Sequence, residues 1–280
     1  MNTIVCVPGY RITEKIYVGT QTMIYRGIRE GDLAPVTIEL LRNPFPNSQE
    51  LLKLKHKYDI SKDLDLPHVV KTLALEPYQN SHALIRADRG GISLESYLEQ
   101  VGCFGNQPET LITYLQIVIQ LADALDGLYL QRVIHKDIKP ANILINPQTQ
   151  QIELTDFSIS SRLSKETQEI KNVNMLAGTL AYMAPEQTGR MNRGIDYRSD
   201  FYTLGVTCYQ LLTGQLPFSS NDPMELVHCH LAKLPVPVHQ ISPNIPLMIS
   251  EIISKLMAKN AEDRYQNAND LIADLEQALK

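Results

Sequence analysis

The stretch that most constrains this chain is His135-Lys136-Asp137-Ile138-Lys139-Pro140-Ala141-Asn142, followed fourteen residues later by Asp156-Phe157-Ser158. It supplies one carboxylate to take a proton, one lysine to offset negative charge, and an amide plus a second carboxylate to hold a divalent metal. Such groups act together only inside one cleft, so the surrounding chain has to bring them there. The stretch lies in a loop between a long segment with an apolar stripe and a short predicted hairpin, Ile143 to Ile145 and Ile152 to Thr155.

Upstream, Tyr10 to Tyr17, Met23 to Ile28 and Val36 to Leu41 are short runs of alternating apolar and polar residues. The breaks between them contain turn residues and are too short for crossover helices, which predicts an antiparallel three-stranded meander. Ser48 to Leu64 has its apolar residues at mostly helical spacing and stops at Pro67; further strands are expected near Val69 to Leu75 and His82 to Ala87. Gly90-Gly91 is a natural hinge, and the composition turns helical after it. Ser93 can cap a helix to Gln100, and Glu109 to Leu130 carries a stripe through Leu111, Leu115, Val118, Leu121, Leu125 and Leu128. Further helices are expected at Ser199 to Leu212, Pro223 to Ala232, Leu247 to Met257 and Ala268 to Leu279. A β-rich front and a helical back make an α+β chain of two lobes, expected as one domain over 1–280 with a front lobe to about 88, a hinge at 87–91 and a back lobe from 92.

With 44% hydrophobic and 20% charged residues the chain can bury a core, and a net charge of −5 without a basic run argues against a nucleic-acid or membrane-surface partner. Cys6, Cys103, Cys208 and Cys229 are scattered without a CxxC pair, so neither a disulfide framework nor a zinc site follows. The start lacks a secretion signal and no continuous eighteen-residue apolar stretch is read, giving the expectation of a cytoplasmic protein without membrane insertion.

His135-x-Asp137-x-Lys139-Pro140-x-Asn142 resembles the catalytic loop of eukaryotic-like protein kinases, and Asp156-Phe157-Ser158 resembles their metal-binding DFG. Ala184-Pro185-Glu186 looks like APE, Asp200 to Gly205 like the DxxxxG helix start, and Arg264 like the arginine that pairs with the APE glutamate. The resemblance implies a two-lobed kinase fold with ATP and Mg²⁺. Asp137 would accept the substrate hydroxyl proton, Lys139 would screen the transferring group, and Asn142 and Asp156 would hold the metal. Lys139, together with Gly178-Thr179, resembles serine/threonine rather than tyrosine kinases, and the APE-containing segment implies a protein substrate more than a small-molecule one.

Several positions depart from the family pattern. Lys136 stands for the usual arginine and Ser158 for the third DFG glycine. Val36-Thr37-Ile38-Glu39 aligns with VAIK, which puts Glu39 at the lysine that contacts ATP phosphates. Counting back from Leu66-Pro67-His68-Val69-Val70, which resembles HPNIV, puts Lys57 at the partner glutamate, so the two charges are exchanged. If they pair, Lys57 can lend its ammonium to phosphate; if Lys57 extends to solvent, a bare carboxylate faces the polyphosphate. The GxGxxG glycines become Tyr17, Gly19 and Thr22, so only Gly19 remains. Thr37 replaces the alanine beside adenine, and Arg86 falls at or beside the gatekeeper before the hinge Ala87-Asp88-Arg89, where it could satisfy Glu39 in place of Lys57. Ile24 and Leu144 fit the apolar sandwich around adenine. Ser160, Ser161, Ser164 and Thr167 are candidate phosphosites by location. The resemblance therefore implies either a serine/threonine kinase with a rearranged nucleotide site or a pseudokinase that serves as a scaffold for signalling partners. Thr188 to Arg198 resembles kinase modules at the front of large bacterial signalling proteins with further domains, including a histidine kinase.

Overall fold

Tyr10–Val18 (β1), Thr22–Arg29 (β2) and Pro35–Leu41 (β3) form the expected meander in a computed structural model that describes residues 5–162, 180–191 and 193–280. Gly178, Thr179, Ser164, Thr167 and Asn192 lie outside the described residues. Helix α1 (Ser48–Ser61) follows, and strands β4 (Thr72–Tyr78) and β5 (Ser81–Ala87) complete a sheet in the order β1-β2-β3-β5-β4. Val36, Ile38, Leu40, Ala83 and Ile85 alternate onto one face and bury a small core with Val7 and Tyr25. The expected strand at Val69 begins three residues late, at Thr72. Val69 instead bridges to Leu154, and the amide of Val70 donates to the Leu154 carbonyl at 2.9 Å, so this stretch joins the lobes rather than the sheet.

The hinge is tied down at several points. Arg26 Nε on β2 donates to Asp88 at 3.0 Å and its Nη2 to the Gly91 carbonyl at 2.7 Å, while Gly90 takes a left-handed turn with φ +76°. Beyond it come β6 (Ile92–Ser93) and α2 (Leu94–Val101), capped by the Ser93 hydroxyl as expected. Helix α3 (Pro108–Leu130) buries the predicted stripe in the main core. Among the described residues α3 is long and apolar enough to cross a membrane, with a mean hydropathy of 1.3, which corrects the reading of no such stretch; 56% of that window is buried inside the fold.

Strand β7 (Val133–Ile134) leads into the catalytic-loop motif; β8 (Ile143–Ile145) and β9 (Ile152–Leu154) form the expected hairpin, with β6 beside β8. Strand β10 (Ser161–Arg162) pairs with β7. The two-residue strands β7 and β10 carry no periodicity to read in sequence. Helices α4 (Arg198–Thr213), α5 (Pro223–Ala232), α6 (Val238–Ile241), α7 (Leu247–Leu256) and α8 (Ala268–Ala278) complete the back lobe. All but the single-turn α6 were predicted. Helix α4 is buried almost throughout, and Gly205 lets α7 approach it: a Cβ there would come within 2.8 Å of Leu256 Cβ.

Candidate active site

The catalytic loop is shaped by buried hydrogen bonds that begin on α4. Asp200 accepts from the amides of His135 and Lys136, each at 2.7 Å, and Thr207 donates to the Ile138 carbonyl at 2.9 Å. His135 Nε2 lies 3.0 Å from the Thr155 carbonyl, and its Nδ1 accepts from the Asp137 amide at 3.3 Å; a neutral ring protonated at Nε2 satisfies both contacts. The same ring meets Phe157 edge-on, with centroids 4.9 Å apart, which buries Phe157 and leaves Asp156 towards the cleft. Lys136 and Asp156 take left-handed backbone, φ +71° and +64°, conformations that non-glycine residues rarely adopt and that cluster at functional sites.

Asp137, Lys139 and Asn142 converge as predicted. Asp137 is 4% exposed, Lys139 Nζ sits 2.8 Å from its Oδ2, and Asn142 Nδ2 donates to that same oxygen at 2.8 Å and to the Asp137 carbonyl at 2.9 Å. Asp137 Oδ1 is buried without a hydrogen-bond partner among the described residues. The Thr155 amide donates to the Asn142 carbonyl at 3.0 Å, which sets Asn142 beside the strand end that carries Asp156. With its amide nitrogen engaged, Asn142 keeps its amide oxygen for a cation, and Asp156 remains partly exposed. One carboxylate plus one amide oxygen is a donor set that suits Mg²⁺, which takes few protein ligands and completes its shell with water and phosphate.

Lys57 and Glu39 do pair. Lys57 Nζ on α1 is 2.7 Å from Glu39 Oε1 and 2.9 Å from Asp156 Oδ1. Arg86 Nη2 is 2.5 Å from Glu39 Oε2, and its Nη1 donates to the Thr155 hydroxyl at 2.9 Å. Lys57 does not extend to solvent, and Arg86 joins it rather than replacing it. Arg86, Glu39, Lys57 and Asp156 thus alternate in sign around a loop that closes through the adjacent Thr155. Burial opposes ionisation of Glu39, yet Lys57 and Arg86 hold its carboxyl below the ordinary range. Asp156 is likewise opposed by burial and is brought down to about 2, chiefly by Lys57; burial works against the Lys57 ammonium, and Glu39 and Asp156 raise it.

A cavity of about 250 Å³ opens between the β1–β2 turn and α1, lined by Glu39, Lys57, Asp156, Lys53, Gly19 and Tyr17 among others. Its lining does not include Ile24, Ala87 or Leu144, each of which is half-buried in the neighbouring strands and hinge, nor Arg86, whose guanidinium is turned onto Glu39. Thr37 pairs with Arg26 and Arg86 across the sheet. In the turn the Gly19 amide donates to the Thr22 carbonyl at 2.8 Å, and the Tyr17 ring lies over Gly19 so closely that a Cβ would meet it at 2.7 Å. A side chain at position 19 would therefore push the exposed Tyr17 ring aside rather than meet backbone.

The candidate phosphosite Ser160 is corrected: it is buried, and its hydroxyl donates to the His135 carbonyl at 2.9 Å. Three contributors escaped the sequence reading. Thr155 receives Arg86, a contact between residues 69 apart that no local pattern announces. His56 Nε2 meets the Ser160 carbonyl at 2.8 Å and fastens α1 to the chain after Asp156. Lys53 lines the cavity, and its place one helical turn before Lys57 was a signal that spacing could have supplied.

Glu186 and Arg264 form the expected pair, bidentate and fully buried, at 2.6 and 2.9 Å. The protein kinase domain family matches residues 10–275. The chain belongs to the protein kinase family. Among its relatives, a probable serine/threonine-protein kinase of Clostridium perfringens is 27% identical over 97% of this chain and 38% of its own length. Serine/threonine-protein kinase PrkC of Bacillus subtilis is 30% identical over 87% of this chain and 36% of its own length. Hybrid signal transduction histidine kinase G of Dictyostelium discoideum is 32% identical over 59% of this chain and 7% of its own length. This kinase-family chain thus spans about two fifths of the first two relatives.

Proposed function

We propose that the chain is a serine/threonine protein kinase domain that moves the γ-phosphoryl group of ATP to a protein hydroxyl through a charge-exchanged nucleotide site. The observation that carries this reading is the Lys57 ammonium lying 2.7 Å from Glu39 and 2.9 Å from Asp156. The family's strand lysine pairs with a helix glutamate beside the metal aspartate; here the same cation and anion meet with their elements reversed.

In this reading Asp137 accepts the hydroxyl proton, while Lys139 and Asn142 hold and orient its carboxylate through Oδ2. Lys139 screens the group in transit, and Lys57 faces the phosphates. Mg²⁺, held by Asn142 and Asp156, would offset charge on the phosphate oxygens. Ile24, Leu144 and Ala87 border the adenine, Gly19 turns the loop above the phosphates, and 87–91 is the hinge between lobes within one domain. A Glu39 carboxylate facing phosphate alone would cost on the order of 4 kcal/mol at about 4 Å and an effective dielectric of ~20. Lys57 and Arg86 both neutralise it, so the exchange is compatible with binding. Use of ATP as donor is consistent with a cytoplasmic domain, and the likeness to a hybrid histidine kinase supports a place beside further signalling domains.

One observation favours a second reading, a pseudokinase that binds signalling partners: the Tyr17 ring covers Gly19 at the cradle, where family members keep glycine. The test is a thermal-shift titration with ATP and Mg²⁺ beside a transfer assay on a generic protein substrate. The kinase reading expects a rise in melting temperature and phosphorylation that Asp137→Ala abolishes. No shift at millimolar nucleotide, with no transfer, would leave the pseudokinase reading standing.

A further inference from the structure

Glu39 has two cationic partners where one would neutralise it. Lys57 and Arg86 take different carboxylate oxygens, Oε1 at 2.7 Å and Oε2 at 2.5 Å. Their other contacts differ in kind. Arg86 is 7% exposed, and its second arm goes to the Thr155 hydroxyl, which anchors the guanidinium within the wall of the cleft. Its Nε is buried without a hydrogen-bond partner among the described residues, so holding the guanidinium there has a cost that its contacts to Glu39 and Thr155 offset. Lys57 turns its other side to Asp156 and lines the open cavity, on a flexible stem whose compact ammonium can change partners.

We infer that Arg86 is the resident counterion of Glu39 and thereby a positioning residue, which frees Lys57 to be shared with the phosphates of the nucleotide. Drawing Lys57 towards phosphate would, without Arg86, leave a buried carboxylate with no full partner. With Arg86 in place, Glu39 keeps one charge-assisted bond whatever Lys57 does. The planar fork suits this duty because it reaches Glu39 and Thr155 together, while the ammonium of a lysine offers no such pair of parallel donors.

The inference rests on the kinase reading, and the experiment separates the two. ATP affinity is measured by calorimetry, with melting temperature, for the wild-type chain, R86M, R86K, E39Q and R86M/E39Q. R86M is expected to weaken ATP binding by about tenfold or more, with R86K intermediate. Because Arg86 acts through the charge of Glu39, R86M/E39Q should return to within about threefold of wild type. A side chain needed only for packing would give no such rescue. If R86M does not fold, the double variant carries the test: folded with near wild-type affinity it supports the role, and folded with weak affinity it overturns it. Wild-type affinity in R86M, or a double variant no better than R86M, also overturns the role while leaving the kinase reading intact. A wild-type chain that binds no ATP overturns both.

Discussion

At the scale of single residues, the site turns on where one ammonium is held. Lys57 reaches the cleft from a helix instead of a strand, yet it ends between a glutamate and the aspartate that follows β9. Losing it leaves Glu39 with Arg86, and removes from Asp156 its ion-pair partner among the described residues. Lys57→Met is therefore expected to raise the KM for ATP by about tenfold and to lower the melting temperature, and steady-state kinetics at varied ATP together with thermal melts checks it. Tyr17 works in the opposite direction. It is 53% exposed, so its ring gains little from burial while covering the turn that should approach phosphate. Tyr17→Gly is expected to lower the KM for ATP severalfold and to change stability by no more than about 1 kcal/mol; an unchanged KM would mean that the ring does not stand in the nucleotide's way.

At the scale of elements, α1 is the part whose placement needs most explanation. Leu54 and Ile60 are its only buried apolar side chains, so hydrophobic packing on the sheet holds it weakly. Polar contacts supply the rest: Lys57 to Glu39 and Asp156, His56 to the Ser160 carbonyl, and a capping box in which Asn47 accepts from the Glu50 amide while Glu50 accepts from the Asn47 amide. Removing the cap with Asn47→Ala should cost about 1 kcal/mol and fray the first turn, measured as a lower midpoint in urea and faster amide exchange near Leu51. Helix α4 behaves differently, because its buried surface fixes Asp200 and through it the amides of the catalytic loop. The two lobes thus position their site residues by different physics, charge in front and packing behind.

At the scale of the whole molecule, two buried polar groups set how the back lobe responds to mutation and to acid. Arg264 ties Glu186 to the backbone at Arg198, Ala258 and Lys259, joining the segment before α4 to the chain after α7. Arg264→Leu would strand a buried carboxylate and should cost about 3–5 kcal/mol, read from chemical denaturation. His230 is buried between Tyr202 and Phe218, and burial, with Lys259 nearby, lowers it from 6.5 to about 4. An unfolded chain takes up this proton at a higher pH than the folded one. Stability should therefore fall as pH drops from about 6.5 to about 4, by on the order of 3 kcal/mol, and His230→Phe should flatten that slope in melts across the range. Much of this architecture was legible beforehand. The meander and the long helix stripe follow from periodicity, because each depends on local residue types, whereas the catalytic-loop roles and the Glu186–Arg264 pair, 78 residues apart, were implied by the family resemblance. The strand expected at Val69 and the phosphosite at Ser160 were misread because contacts with Leu154 and His135, distant in sequence, decided them. The amino-acid sequence by itself, set beside the family pattern, pointed to Glu39 and Lys57 as the unusual charges. Only the tertiary structure decided their partners, since Glu39 meets Lys57 across 18 residues and Arg86 across 47, and the low effective dielectric around a buried Glu39 strengthens those pairings.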